Sequence, residues 1–304
     1  MIGTLVRDTI RHPSAGVIEQ WGGLTYSLAA LSAGKPAGWE VRPILRVGAD
    51  LAESAWNFIG QLPGLELDCG FTVVPEPNNR VELCYRDTAE RSEQLSGGVC
   101  GWTFAELEPL LKDVDAVYVN FISGFEMDIT TAESIRTPGI PVYADLHSLF
   151  LGPPPADGPR EPRVPDEWRR WIAAFDIVQM NEPELALLSA EAGLPSDGDP
   201  LTALSTLAAG GPKLAFLTRG PQGAVWALPG EAGKGGYLPL AEPPSSGDPT
   251  GCGDIWGAIV ASGLAAGEPV ELAMRRANTA ASARLGVTGI TRLRDALYHA
   301  LHER

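Results

Sequence analysis

The 304-residue chain is short of positive charge: 23 Lys and Arg stand against 38 Asp and Glu, for a formal net charge of −15. Binding along a nucleic-acid backbone needs a basic footprint, so no nucleic-acid partner is expected. A small anion is still allowed, because a few local N–H groups and cations can hold one. Cysteine is scarce too, and Cys69, Cys84, Cys100 and Cys252 form no C-x-x-C pair. In a chain this long they predict free thiols in a reducing compartment. Of the four histidines, His299 and His302 make an H-x-x-H without further ligands nearby, which reads as a solvated helix face. Long hydrophobic runs are missing. The longest uncharged apolar stretch, Ile255 to Gly267, falls short of the ~18–20 residues of a spanning helix and reads as a buried core helix. The start, MIGTLVRDTIRH, has charges at Arg7, Asp8 and Arg11 and no signal-peptide core. A soluble, cytoplasmic protein with no membrane partner is expected. No G-x-x-x-x-G-K-[ST] loop occurs, which argues against a P-loop enzyme.

What is present is a globular composition, 44% hydrophobic and 20% charged, enough for one large domain or two modest ones. Short apolar runs alternate with helical segments. Strands are expected at Ile2–Val6, Val41–Val47, Ala116–Phe121, Pro141–Leu146, Phe175–Met180 and Lys213–Thr218. Helices are expected at Leu24–Ala33, Leu51–Gly60, Phe104–Lys112, Ile129–Ile135, Glu167–Ala174, Glu184–Ala192 and Leu201–Ala209, with two Ala-rich helices between Asp254 and Leu285. This alternation predicts βαβ units around a mostly parallel sheet covered on both faces. Residues 69–101 break the rhythm with a Val-Glu-Leu-Cys-Tyr alternation and Pro, Asn and Gly breaks, which predicts a small antiparallel excursion. Residues 152–165 form a Pro-rich loop.

The most informative segment is Ser246-Gly-Asp-Pro-Thr-Gly-Cys-Gly-Asp-Ile-Trp-Gly-Ala258. Gly251 and Gly253 let successive backbone N–H groups converge just where an apolar helix begins, which makes a ready anion site. Asp254 falls in the first helical turn beside that anion. A carboxylate there is electrostatically awkward unless it takes a proton from a hydroxyl attacking a phosphoryl group. The same residues would also serve a tightly packed helix start with a simple cap. A dinucleotide fingerprint is a poorer reading: Gly251-x-Gly253-x-x-x-Gly257 misses the required spacing and lies too near the end of the chain to open a βαβ unit.

The segment D-P-T-G-C-G-D-I-W-G-A at 248–258 resembles the D-T-x-G-A-G-D-x-F signature of the ribokinase-like (PfkB) carbohydrate kinases. Gly22-Gly23 followed by Val47-Gly48-Ala49-Asp50 is similar to the family's amino-terminal pattern. Asn181-Glu182-Pro183-Glu184 resembles its N-x-x-E motif, and Thr218-Arg219-Gly220-Pro221-Gln222-Gly223 its T-x-G-x-x-G turn. The resemblance covers nearly the whole chain. It implies a single domain, 1–304, with a ribokinase-like three-layer α/β/α sandwich. A small antiparallel β lid would be inserted at about 69–101, with 9–20 as a candidate addition.

The activity implied is ATP-dependent phosphorylation of a hydroxymethyl group on a small sugar or sugar-like polyol. Asp254 would be the base, and the N–H groups of Gly251, Cys252 and Gly253 the anion hole. Asn181 and Glu184 would organise Mg²⁺ through water, although they could equally be an N-cap and its first-turn acid. Thr218, Gly220, Gly223 and Asn278 would border the nucleotide, and Asp8, Gly22, Gly23 and Asn120 the acceptor. The resemblance leaves room for a monovalent cation and for a homodimer through residues 70–100. Two positions depart from the family pattern. Ser27 stands where the family has a substrate-binding Asn, and Asp145-Leu146-His147-Ser148 replaces D-x-N-x-R. Alternatives are a nucleoside kinase, with Tyr26, Phe71 or Tyr85 stacking on a base, and a non-catalytic ligand-binding member of the fold.

Overall fold

The structure is a computed structural model that describes residues 1–12, 16–85, 91–136, 139–156, 158–229, 234–241, 247–287, 290 and 292–303. The chain opens with β1 (Ile2–Gly3), β2 (Leu5–His12), β3 (Gly16–Gly23) and α1 (Leu24–Gly34). It continues through β4 (Leu45–Gly48), α2 (Ala52–Ile59), β5 (Phe71–Val74), β6 (Arg80–Tyr85) and β7 (Arg91–Ser96). Next come α3 (Phe104–Leu107), β8 (Val117–Asn120), α4 (Ile129–Ser134), β9 (Val142–Asp145) and α5 (Trp168–Ala173). Then follow β10 (Ile177–Asn181), α6 (Glu182–Glu191), α7 (Pro200–Leu207) and β11 (Leu214–Thr218). The last elements are β12 (Ala224–Ala227), β13 (Gly235–Leu238), α8 (Cys252–Ala265), α9 (Val270–Leu285) and α10 (Leu293–His302).

Seven strands form the central sheet in the order β1-β8-β9-β10-β11-β12-β13. The pairs from β1 to β11 are parallel, and β12 and β13 extend the sheet antiparallel. Strand side chains alternate between two apolar layers, as a doubly covered sheet requires. Tyr118, Tyr143 and Phe216 enter the core shared with α1, α8, α9 and α10. Their neighbours Val117, Val119, Val142, Ala144, Ala215 and Leu217 enter the core on the other face, under α4 to α7. This is the expected α/β/α sandwich. Among the described residues no helix is long and apolar enough to cross a membrane.

Proline decides two differences from expectation. The strand expected at Val41–Val47 begins only at Leu45, because Pro43 has no N–H to offer; Val41 and Ile44 make isolated bridges. The helix expected at Phe104–Lys112 ends at Leu107, two residues before Pro109. β12 and β13 lie outside the elements expected from sequence, and α10 contains the helix face expected at His299 and His302.

A separate four-stranded sheet has the order β3-β2-β6-β7. Two antiparallel pairs, β2–β3 and β6–β7, are joined through a parallel β2–β6 pairing. It therefore draws on residues 5–23 as much as on 80–96, and residues 13–15 and 86–90 of the expected lid lie outside the described residues. Phe71–Val74 pairs with β4 instead. Asp8, expected to end the first strand, lies inside β2 opposite Gln20 of β3. Val6, Ile10, Val81, Leu83, Leu95 and Ile122 give this sheet its own small apolar cluster.

Candidate active site

Four adjacent parallel strands deliver polar residues at their carboxyl ends: Asn120 from β8, Asp145 from β9, Asn181 from β10 and Thr218 from β11. Such sheet edges are where open α/β folds place ligands. A cavity of about 470 Å³ lies there. It is lined by Gly251, Cys252, Gly253, Asp254, Thr218, Gly220, Gly223, Asn278, Asn181 and Glu184, so ten residues singled out from sequence line one cavity.

Helix α8 begins directly at the cavity. Its N-cap, Gly251, has φ +82°, and a Cβ there would lie 2.3 Å from the Tyr26 ring. Only glycine takes this turn without strain. Asp254 is the third helical residue, not the cap. Its Oδ1 accepts a hydrogen bond from Asn120 Nδ2 at 2.8 Å. The simple-cap reading therefore does not describe its side chain. The N–H of Cys252 donates to the Pro249 carbonyl at 3.1 Å, closing the turn. The N–H groups of Gly253 and Asp254, within the first helical turn, have no intrahelical acceptor by geometry. Burial pushes the Cys252 thiol up to about 12, so it stays protonated.

Beneath Asp254 lies a polar support. Asn120 is fully buried and also donates to Ser27 Oγ at 3.0 Å, while Ser27 Oγ donates to the Asp254 carbonyl at 3.1 Å. Gln179 Nε2 donates to Asp145 Oδ2 at 2.9 Å and to the Gly253 carbonyl at 3.2 Å. Asn120 and Ser27 thus hold α8 in place instead of lining the cavity. Gln179 was not among the residues expected at the site; a polar residue in the middle of the strand IVQMN, flanked by Val178 and Met180, was its only sequence signal.

Along one wall, Asn181 and Glu184 form a capping box on α6, with Glu184 N donating to Asn181 Oδ1 at 3.0 Å and Asn181 N to Glu184 Oε2 at 2.8 Å. Both still face the cavity. His147 Nδ1 lies 3.0 Å from Glu184 Oε1. Burial pulls the imidazolium down, but the hydrogen bond and charge of Glu184, with Asp145 and Asp254 behind it, outweigh this and raise it to about 9. Burial, then the charge of Asp254, pushes the Asp145 carboxyl well above the usual carboxylate range. The carboxylates of Glu184 and Asp254, with the Asp145 carboxyl beside them and His147 as the charged counter-group among the described lining residues, form an environment that a cation relieves. Among the described residues no three ligating side chains are close enough to hold an ion directly, so the donor set suits a hydrated ion shared with phosphate oxygens.

The cavity lining also includes the apolar side chains of Met180, Pro221, Leu240, Ala281 and Leu285. Asn278 reaches it while its Oδ1 accepts from Trp256 Nε1 at 2.8 Å. Asp8, Gly22 and Gly23 do not line this cavity; they lie where the lid strands enter the main domain. Asp8 is 3% exposed, and its Oδ2 lies 1.8 Å from where a Gly22 Cβ would be. Tyr26 is buried under Gly251, and Phe71 packs edge-on against Trp56 at 5.1 Å. Neither is placed to stack on a ligand, and the side chain of Tyr85 lies outside the described residues.

Residues 154–296 match the pfkB family of carbohydrate kinases. No curated protein sequence matches the chain significantly. Solved structures share the fold over nearly the full length. Arabidopsis thaliana ribokinase, complexed with ribose and ATP, superposes with a TM-score of 0.75 at 20% identity, over 99% of this chain and 97% of its own. A pyrophosphate-dependent kinase in the ribokinase family gives 0.78 at 18% identity, over 97% and 98%. A Burkholderia thailandensis nucleoside kinase in complex with inosine gives 0.72 at 17%, over 99% and 97%.

Proposed function

We propose that this chain, whose residues 154–296 match the pfkB family of carbohydrate kinases and whose fold is ribokinase-like, transfers the γ-phosphoryl of ATP to a hydroxymethyl group of a small sugar-like polyol. The observation that carries this reading is Asp254, held by Asn120 in the first turn of α8, in the wall of a cavity that also has apolar lining residues. The phosphates of ATP lie at the amino terminus of α8, and the adenine lies against Leu240, Ala281 and Leu285 near Asn278. Thr218, Gly220 and Gly223 border it. The acceptor is gripped by Asp8 and the backbone at Gly22-Gly23, under the lid. Its hydroxyl oxygen attacks the γ-phosphorus, its proton passes to an Asp254 carboxylate oxygen, and the bond to the β-phosphate oxygen breaks to release ADP. N–H groups at the start of α8 hold the charge on the transferring oxygens. Asn181 and Glu184 would hold Mg²⁺ through water, and that ion supplies charge neutralisation on the phosphates.

Two observations favour ATP over pyrophosphate, on which the kinases of three matching structures depend. The apolar lining residues have a purpose for a nucleoside base and none for pyrophosphate. Among the described residues no Lys or Arg lines the cavity to match a compact polyanion. A nucleoside acceptor is less favoured, because Tyr26 and Phe71 are committed to packing.

The test is ADP release from Mg·ATP across pentoses, hexoses, inositols and nucleosides, with pyrophosphate as a rival donor. Acceptor-dependent turnover with ATP, absent in Asp254→Asn, is the expected result. Tight ATP binding with no turnover on any acceptor would point to a non-catalytic member and overturn the proposal. Gly22→Ala should push the Asp8 carboxylate aside. It is expected to raise the acceptor KM about tenfold or more while the KM for ATP stays unchanged, since losing a charge-assisted hydrogen bond costs about 1.5–3 kcal/mol. Equal changes in both constants would remove Asp8 from the acceptor site.

A further inference from the structure

A buried cation stands directly behind the turn that opens α8. Arg284, in the last turn of α9, is 2% exposed and is the bulkiest of the fully buried side chains. One guanidinium nitrogen donates to Asp248 Oδ2 at 2.8 Å and the other to the Val287 carbonyl at 2.6 Å. Asp248 Oδ1 in turn accepts from the N–H of Thr250 at 2.9 Å, the residue before Gly251. On its other side the guanidinium lies 5.4 Å from the centre of the Tyr26 ring, the ring that abuts Gly251. The loop also meets the end of α9 closely, since a Cβ on Gly247 would lie 1.9 Å from the Leu285 carbonyl oxygen. One planar cation therefore ties together the carboxylate that shapes the turn, the ring that backs it and the chain leaving α9.

We propose that Arg284 is a positioning residue that acts as a built-in monovalent cation, fixing the 248–253 turn so that turnover needs no added potassium or sodium. The inference rests on the phosphotransfer reading above only for its kinetic readout. The chemistry is that of the ligands. A carboxylate oxygen and a backbone carbonyl oxygen converge beside the anion-binding turn, an oxygen set that a free alkali cation would suit. Here a guanidinium with directed donors fills it. Unlike a dissolved ion, it is covalently part of α9 and cannot be diluted away. It does not line the cavity, so it acts on the reaction only through the turn. Small displacements there matter, because a misplacement of ~1 Å at a reacting centre can cost about 100-fold in rate.

The experiment compares the whole protein with Arg284→Ala and Arg284→Lys, in buffer free of potassium and sodium and then with potassium chloride or guanidinium chloride added. Wild-type kcat and melting temperature should not respond to potassium. In Arg284→Ala, kcat should fall about 10- to 100-fold. Low millimolar guanidinium or potassium should then restore part of kcat and raise the melting temperature, as a ligand bound to the native state does. Arg284→Lys keeps the charge and should lie between the two, which preserves the test if the alanine variant does not fold. Potassium activation of the wild type would overturn the proposal. So would a folded Arg284→Ala or Arg284→Lys that keeps full kcat, or a loss that neither cation relieves. The melting curves need no acceptor. If no polyol is turned over but cations selectively stabilise Arg284→Ala, the phosphotransfer reading fails while the built-in cation stands.

Discussion

Asp254→Asn is expected to lower kcat by about 10²- to 10⁴-fold, the usual span for a positioned general base, equivalent to about 3–5 kcal/mol of barrier. The variant is a clean test because the carboxamide oxygen can still accept from Asn120 Nδ2, and the Ser27 contact is to the main chain. Position is kept and only the proton acceptor is lost. The ATP dissociation constant and the melting temperature should therefore change little. Both are measurable on the same preparation, by calorimetric titration and thermal melting. A variant with wild-type kcat would remove Asp254 from the chemistry; one that also loses ATP binding would show that the carboxylate shapes the site instead.

Gly251 and Gly253 should separate stability from activity. Gly251→Ala must place a methyl at φ +82° and 2.3 Å from the Tyr26 ring, which is itself held beside Arg284. The left-handed backbone alone costs ~1–2 kcal/mol. The melting temperature should fall, and kcat with it by about 10²- to 10³-fold, as when a donor to the transition-state charge is displaced. Gly253→Ala differs in kind. Nothing lies within 4 Å of its would-be Cβ, which projects into open space at the cavity wall. Inside a helix, Ala is favoured over Gly by about 0.5–1 kcal/mol. This variant should melt at the same temperature or slightly higher, yet lose activity because its methyl stands where the phosphoryl must pass. A fully active Gly253→Ala would move the transfer path away from the start of α8.

The site was legible in sequence where its chemistry is local. The turn at 248–254 carries its own glycines, helix start and carboxylate within a few residues. Asn181 and Glu184 announce a capping box at a spacing of three, and the structure contains that box on the cavity wall. The departures from the family pattern were visible as residues but not as roles. Ser27 proves to brace the Asp254 main chain, and His147 to pair with Glu184. Asn120, assigned to the acceptor, is buried and donates to Asp254.

The sequence by itself determined the alternation of strand and helix, the sheet buried on both faces, and the place where an anion could meet a helix start. These follow from periodicity and backbone chemistry, which act over a few residues. Only the tertiary structure decided what stands behind that helix start. Asn120 reaches Asp254 across 134 residues of chain, Ser27 reaches it across 227, and Arg284 closes on Asp248 across 36. The same holds for the lid, whose residues 5–23 join 80–96 through one parallel pairing of β2 with β6. Such contacts depend on the order in which strands are laid side by side. No local pattern records that order, because every parallel strand in a doubly covered sheet reads as much the same apolar run.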